Sequence, residues 1–199
     1  MSEPLFTDDV LFQQRLLKAA GLYAGAIDGT WGPVTDRAFT GFAAAGEDIA
    51  ARRGRFDPRS ERLILSLQLP AQEAARAFLA RTRAAGLDAR IISATRTYAE
   101  QNRLFRQGRY GKAGSKVTNA RGGQSNHNFA IAWDIGLFEC GAYLTGAAAY
   151  DRAARAGLVD ALEWGGDWRS FRDAPLYQLA NGLSTAATRA LFEAGERYF

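Results

Sequence analysis

The residues best suited to chemistry lie between Ala120 and Gly136, in the run A-R-G-G-Q-S-N-H-N-F-A-I-A-W-D-I-G. The run holds His127, the single histidine of the 199-residue chain, and an aspartate seven positions later, Asp134. Between them Phe129, Ala130, Ile131, Ala132 and Trp133 form an apolar run with the composition of a buried strand. An imidazole in a Gly/Asn/Ser loop feeding a strand that ends in a carboxylate can aim two metal ligands at one point. Farther along, Trp164 and Trp168 bracket a Gly-Gly-Asp turn. Indole rings there either pack into a core or rim, or stack on a sugar and line a cleft.

The elements that must position these groups read as helices first and short strands later. The spacing of Val10, Phe12, Leu16, Leu17 and Ala20 predicts a helix that Thr7 or Asp8 could cap and Gly21 stops. A turn-rich stretch from Gly25 follows, and Pro33 suits the first turn of a second helix running to about Ala45, with Ala38, Phe39 and Phe42 inside. Gly46 to Phe56 reads as a polar linker. Its cluster Arg52, Arg53 and Arg55 is a solvated basic segment and not a nucleic-acid patch, because no aromatics interleave the arginines. Asp57-Pro58 opens a helix through Leu63 and Leu67, and Pro70 opens a longer one stopped by Gly86. Residues 88–93 form a strand, and Thr97 with Glu100 makes a capping box for a helix to about Gln107. Residues 108–123 are a long loop of functional length. After the strand ending at Asp134 come a loop over 141–146, a helix over 147–157, strands at 161–164 and 175–179, and a helix from Ser184 or Thr185 to near Tyr198. This order predicts an α+β domain with a small antiparallel sheet flanked by helices, preceded by a small helical unit.

Composition sets the bounds. Nearly half the residues are apolar, as in a globular protein, and 25 basic against 21 acidic residues give a mild net charge of +4. Such a bias suits an anionic polymer such as a cell wall, and solvated basic helix faces explain it equally well. Cys140 is the single cysteine, so an internal disulfide is excluded. The acidic N-terminus lacks the basic and apolar regions of a secretory signal, and no run has the length of a membrane span. The expectation is cytoplasmic synthesis without a signal peptide, with any target outside the cytoplasm reached by another route.

Two resemblances follow from these residues. Residues 10–43, with D-G-x-W-G-P-x-T at Asp28, Gly29, Trp31, Gly32 and Pro33, resemble the small peptidoglycan-binding repeat of cell-wall hydrolases. The resemblance implies wall contact by Asp28, Gly29 and Trp31; the same residues also build a tight interhelical turn. The three blocks R-I-I-S-A-T-R-T-Y-A-E-Q, V-T-N-A-R-G-G-Q-S-N-H-N-F-A-I-A-W-D-I-G and L-E-W-G-G-D-W-R-S-F-R-D-A-P-L-Y-Q resemble the zinc peptidases of the VanY/D-alanyl-D-alanine carboxypeptidase group. Their nearest branch is the L-alanyl-D-glutamate endopeptidases of endolysin type. This implies a Hedgehog/D,D-peptidase-like fold over 51–199 after a wall-binding-like unit over 1–50, with peptidoglycan stem peptide as partner.

Carried over residue by residue, the family's S-x-H-x-x-G-x-A-x-D motif makes His127 and Asp134 metal ligands beside Ser125. Asp173 becomes the general base, and Arg96 polarises the substrate or holds its carboxylate. Trp164 and Trp168 stand beside this site as substrate-binding candidates. Two positions depart from the pattern. Ala130 stands where the family has Gly, and Leu176 where it has its third ligand, a histidine. A catalytic zinc normally uses three protein ligands and an open position, where it lowers the pKa of bound water from about 16 toward about 7. With Leu176 in place, zinc is expected to bind weakly and hydrolysis to be weak or lost. An active metallopeptidase with altered coordination is the alternative, and a structural part of a phage or secretion apparatus is another.

Overall fold

The computed structural model describes residues 6–199, so the N-terminal reading made on residues 1–5 lies outside the described residues. The chain gathers into two compact units, each assembled from separated stretches. The first contains 6–42, 96–129 and 183–198; the second contains 43–95, 130–182 and 199. The expected division at residue 50 falls inside a helix. Among the described residues no helix is long and apolar enough to cross a membrane.

The second unit holds the sheet. Strands β1 (Asp88–Ser93), β2 (Ala132–Glu139), β3 (Ala142–Leu144), β4 (Leu162–Trp164) and β5 (Leu176–Leu179) run β1-β2-β5-β4, with β3 also paired to β2 and all pairings antiparallel. Side chains alternate across a strand. Trp133 and Ile135 are therefore fully buried on one face of β2, and Asp134 stands half-buried on the other. Tyr177 continues the buried face and meets Phe78 of α4 (Leu69–Ala84) with ring centroids 4.3 Å apart. Helix α3 (Pro58–Ile64) begins at Asp57, whose carboxylate accepts the N–H groups of Arg59 and Ser60. Helix α6 (Ala147–Gly157) approaches α4 at Gly157, where a Cβ would fall 2.4 Å from the Phe78 ring.

The first unit packs α1 (Thr7–Ala19) on α7 (Thr185–Ala194) through Phe12 and Phe192, 5.4 Å apart, and Phe192 in turn packs 5.5 Å from Phe129. It also contains α5 (Tyr98–Arg106), opened by the Thr97/Glu100 capping box expected from the sequence. Helix α2 (Pro33–Arg53) starts in this unit and ends in the other.

Several expectations are corrected. Helix α2 does not stop near Ala45 but runs through Gly46, and 46–53 is no linker. At Gly46 a Cβ would lie 2.9 Å from the Gln72 amide, so this glycine serves close packing and not termination. Phe39 is not an inner residue; it is 43 % exposed and edges against Trp31. Thr7 and Asp8 lie within the first turn of α1, and Phe6 occupies the cap without a side-chain bond. The apolar run before Asp134 is not strand throughout. Asn126–Phe129 is a 3-10 turn, Ala130 has φ of 57°, and β2 starts at Ala132 and runs past Asp134 to Glu139. Burial, and not pleating, made that run apolar. The expected loop after Cys140 contains β3, because Cys140 (φ 48°) and Gly141 (φ 81°) form a two-residue hairpin turn whose positive φ values match the strand twist. Helix α7 ends at Ala194 before left-handed Gly195, short of Tyr198.

Candidate functional site

In the first unit the structure brings Arg96 and His127 together. The capping box fixes the chain immediately after Arg96, and the Arg96 N–H donates to the His127 carbonyl at 3.0 Å. The Arg96 guanidinium Nη2 lies 3.4 Å from His127 Nε2, and Nη1 donates to Gln101 Oε1 at 3.2 Å. His127 is 2 % exposed. It sits in the Asn126–Phe129 turn, closed by the Asn128 N–H on the carbonyl of half-buried Ser125.

Two fully buried side chains hold this arrangement and were not singled out in the sequence: Gln101 and Asn128. Asn128 donates to the carbonyls of Arg96 and Thr97 and accepts from the Gly123 N–H. Gln101 donates to Thr118 Oγ1 and the Ala120 carbonyl, tying the long loop to α5. An amide inside a capped turn and another directly after the lone histidine were the available signals. A buried amide needs several partners, which a Gly/Asn/Ser loop supplies.

In the second unit Asp134, Asp173 and Leu176 are set by β2, β5 and the turn before β5. Asp134 pairs across the ladder with Ser93 on β1 and with Leu176 on β5. Directly opposed residues of antiparallel strands project to the same face. The Leu176 side chain, 8 % exposed, therefore stands beside the Asp134 carboxylate. Half-buried Asp173 lies three residues earlier, in a turn closed by the Leu176 N–H on its carbonyl. Its own N–H donates to Gly165 at 2.9 Å. A Cβ on Gly165 would meet the Asp173 carbonyl at 2.6 Å, so a glycine is required there.

Trp164 is only 9 % exposed, stacks 6.4 Å from Tyr177 and donates its Nε1–H to the Ala174 carbonyl. Its donor and its Tyr177 face are used internally, and the exposed Arg172 guanidinium lies 5.7 Å over the ring. Trp168, at 36 % exposure, remains an accessible aromatic of this turn, joined by Phe171 at 59 %.

The Asp28 segment forms a turn centred on buried Gln14. Gln14 Nε2 donates to Asp28 Oδ1 at 2.9 Å, and its Oε1 accepts from the N–H groups of Asp28 and Gly29. The Gln14 and Thr30 donors hold the Asp28 carboxyl below its usual range. Gly29, at φ 74°, abuts Thr7, where a Cβ would be 2.6 Å from Cγ2. Asp28 and Gly29 thus serve the interhelical turn, leaving half-buried Trp31 as the contact candidate of the three.

The donor set does not fit a three-ligand catalytic zinc. Among the described residues no group of three or more His, Cys, Asp or Glu side chains is placed to hold a metal ion. The implied third position is a packed aliphatic side chain, which cannot ligate and makes its surroundings apolar.

Residues 65–158 match the family model for VanY, D-alanyl-D-alanine carboxypeptidase. The match ends before the turn with Asp173 and Leu176. A relative in Bacillus subtilis (strain 168), the peptidoglycan L-alanyl-D-glutamate endopeptidase CwlK, is 38 % identical over 101 residues, covering 45 % of this chain. The chain spans 59 % of that relative's length. The crystal structure of the Serratia marcescens L-Ala D-Glu endopeptidase ChiX is similar over 65 % of this chain and 92 % of its own, with a TM-score of 0.47 and 24 % identity.

Proposed function

We propose that this protein is directed to peptidoglycan and binds the stem peptide in a peptidase-type site that hydrolyses it weakly or not at all. The observation that carries this reading is Leu176, buried directly across the ladder from Asp134. With His127 and Asp134 alone as donors, zinc affinity drops by orders of magnitude, and no metal-bound water is made acidic. Recognition does not need that metal. The resemblance gives Arg96 to a substrate carboxylate, Ser125 and Trp168 to substrate binding, and Asp173 to the role of base. The relationship to the VanY family and to CwlK supports peptidoglycan as the substrate class. Residues 1–50 act as a small wall-binding segment through Trp31, ahead of the peptidase-like region 51–199, and the protein works at the wall.

The test compares the unmodified chain with Leu176→His. The unmodified chain is expected to bind a soluble stem tetrapeptide in calorimetry, to purify with little zinc, and to release little product from purified peptidoglycan. Leu176→His is expected to raise zinc content toward one per chain and product release by at least about tenfold, since it adds the missing ligand. Chelator-sensitive release of L-Ala/D-Glu or D-Ala fragments by the unmodified chain, with Leu176→His changing little, would overturn the proposal in favour of altered coordination.

A further inference from the structure

The positive charge of this chain comes from one stretch. Residues 101–133 hold six cations, Arg103, Arg106, Arg109, Lys112, Lys116 and Arg121, and no Asp or Glu. The rest of the chain carries 19 basic against 21 acidic side chains. All six cations belong to the first unit.

Two of the six have internal work. Arg109 donates to the carbonyls of Phe105 and Thr118 and to Asn119 Oδ1, stapling the loop to α5. Arg121 lies 5.0 Å over the Phe105 ring. Arg103, Arg106, Lys112 and Lys116 are exposed and enter no ion pair among the described residues.

The backbone gathers these four at one end of α5. Arg103 and Arg106, three residues apart, are neighbours on the helix surface. At Gly108 (φ 67°) a Cβ would lie 2.7 Å from both the Gly114 carbonyl oxygen and the Lys116 nitrogen. The loop thus folds back onto the end of the helix and carries its lysines there. The α5 C-terminus favours the two arginines. It does not account for the lysines beyond it, and like charges gathered without carboxylates oppose folding. An external polyanion offsets that repulsion.

We propose that this surface is a second binding face for the wall, holding carboxylates of peptidoglycan stem peptides away from the bound one and retaining the protein on the polymer. The proposal rests on the reading of peptidoglycan as partner and deepens it. The VanY match, 65–158, encloses the stretch. Nucleic acid fits less well: Tyr110 is the stretch's exposed aromatic, whereas single-strand binding uses successive stacking rings.

The test is co-sedimentation of the full chain with sacculi stripped of phosphate polymers, at about 50 and about 300 mM NaCl. A charge-reversed variant, Arg103→Glu/Lys112→Glu/Lys116→Glu, and its neutral counterpart with Gln at the same positions are run beside it. Expected are a loss of affinity of about tenfold or more for the unmodified chain on raising salt, and a similar loss for the reversed variant at low salt. The neutral variant falls between them, and all three bind the soluble tetrapeptide alike, which also shows that they fold. The proposal is overturned if the reversed variant sediments like the unmodified chain, if salt has no effect, if removing phosphate polymers abolishes binding, or if duplex DNA is preferred over sacculi. Sacculus binding that persists while no protein binds the tetrapeptide would sink the stem-peptide reading and leave this surface standing.

Discussion

At Ala130 a methyl group occupies a backbone conformation suited to glycine. Its φ of 57° is left-handed, and the residue is fully buried between the histidine turn and β2. An L-residue there costs about 1–2 kcal/mol, whereas glycine loses about 0.5–1 kcal/mol more chain entropy on folding. The first outweighs the second, so Ala130→Gly is expected to stabilise the protein by about 0.5–1 kcal/mol. Urea unfolding should show a raised midpoint with an unchanged slope; a lowered midpoint would contradict the strain. Both departures from the family pattern, Ala130 and Leu176, were visible as letters. Only the backbone shows that the first retains the glycine geometry, and only the ladder register shows that the second stands beside Asp134.

Between elements, α3 and α4 are joined by a buried ion pair. Arg76, fully buried, donates through Nη1 and Nη2 to the two Glu61 oxygens at 2.8 Å each, and Nη1 also donates to the Gly54 carbonyl. Burial raises the Glu61 pKa, but the Arg76 donors and the Phe56 N–H outweigh it and leave it below the ordinary value. A depressed carboxyl stabilises the fold above its unfolded pKa, and that contribution is lost as pH falls through the folded one. Stability is therefore expected to fall below about pH 4.5. An Arg76→Met/Glu61→Leu double variant should lose less stability over the same pH range. Glu61→Ala alone should cost on the order of 3–5 kcal/mol, because it strands a buried guanidinium. Calorimetric or urea unfolding against pH checks both. None of this pairing was legible beforehand. The two residues are 15 positions apart on different helices, and isolated charges on helices normally read as solvated.

On the scale of the whole chain, sequence order and spatial order part company. The two compact units interleave their stretches, and Phe192 of α7 packs on both Phe12 and Phe129 within one unit. Tyr198 adds a hydrogen bond to the Phe129 carbonyl at 2.6 Å. Removing residues 1–50 would strip Phe12 from Phe192 and loosen the turn that carries His127. Hydrogen exchange on a 51–199 fragment is expected to show lost protection over 126–129 while β1 and β2 stay protected. Equal protection in fragment and full chain would contradict this.

The sequence alone determined what local chemistry and short-range pattern can specify. Helix starts at Asp57, Thr97 and Ser184 were readable because a cap is a contact between residues two or three apart. The α+β order was readable as well. The tertiary structure decided what depends on distant neighbours. It carried α2 through Gly46, spent Trp164 on the core and Asp28 on a turn, and put Arg96 against His127 through two buried amides. It also set Leu176 opposite Asp134. A residue type limits which partners a side chain can take, but burial and register choose among them, and both are properties of segments far apart in the chain.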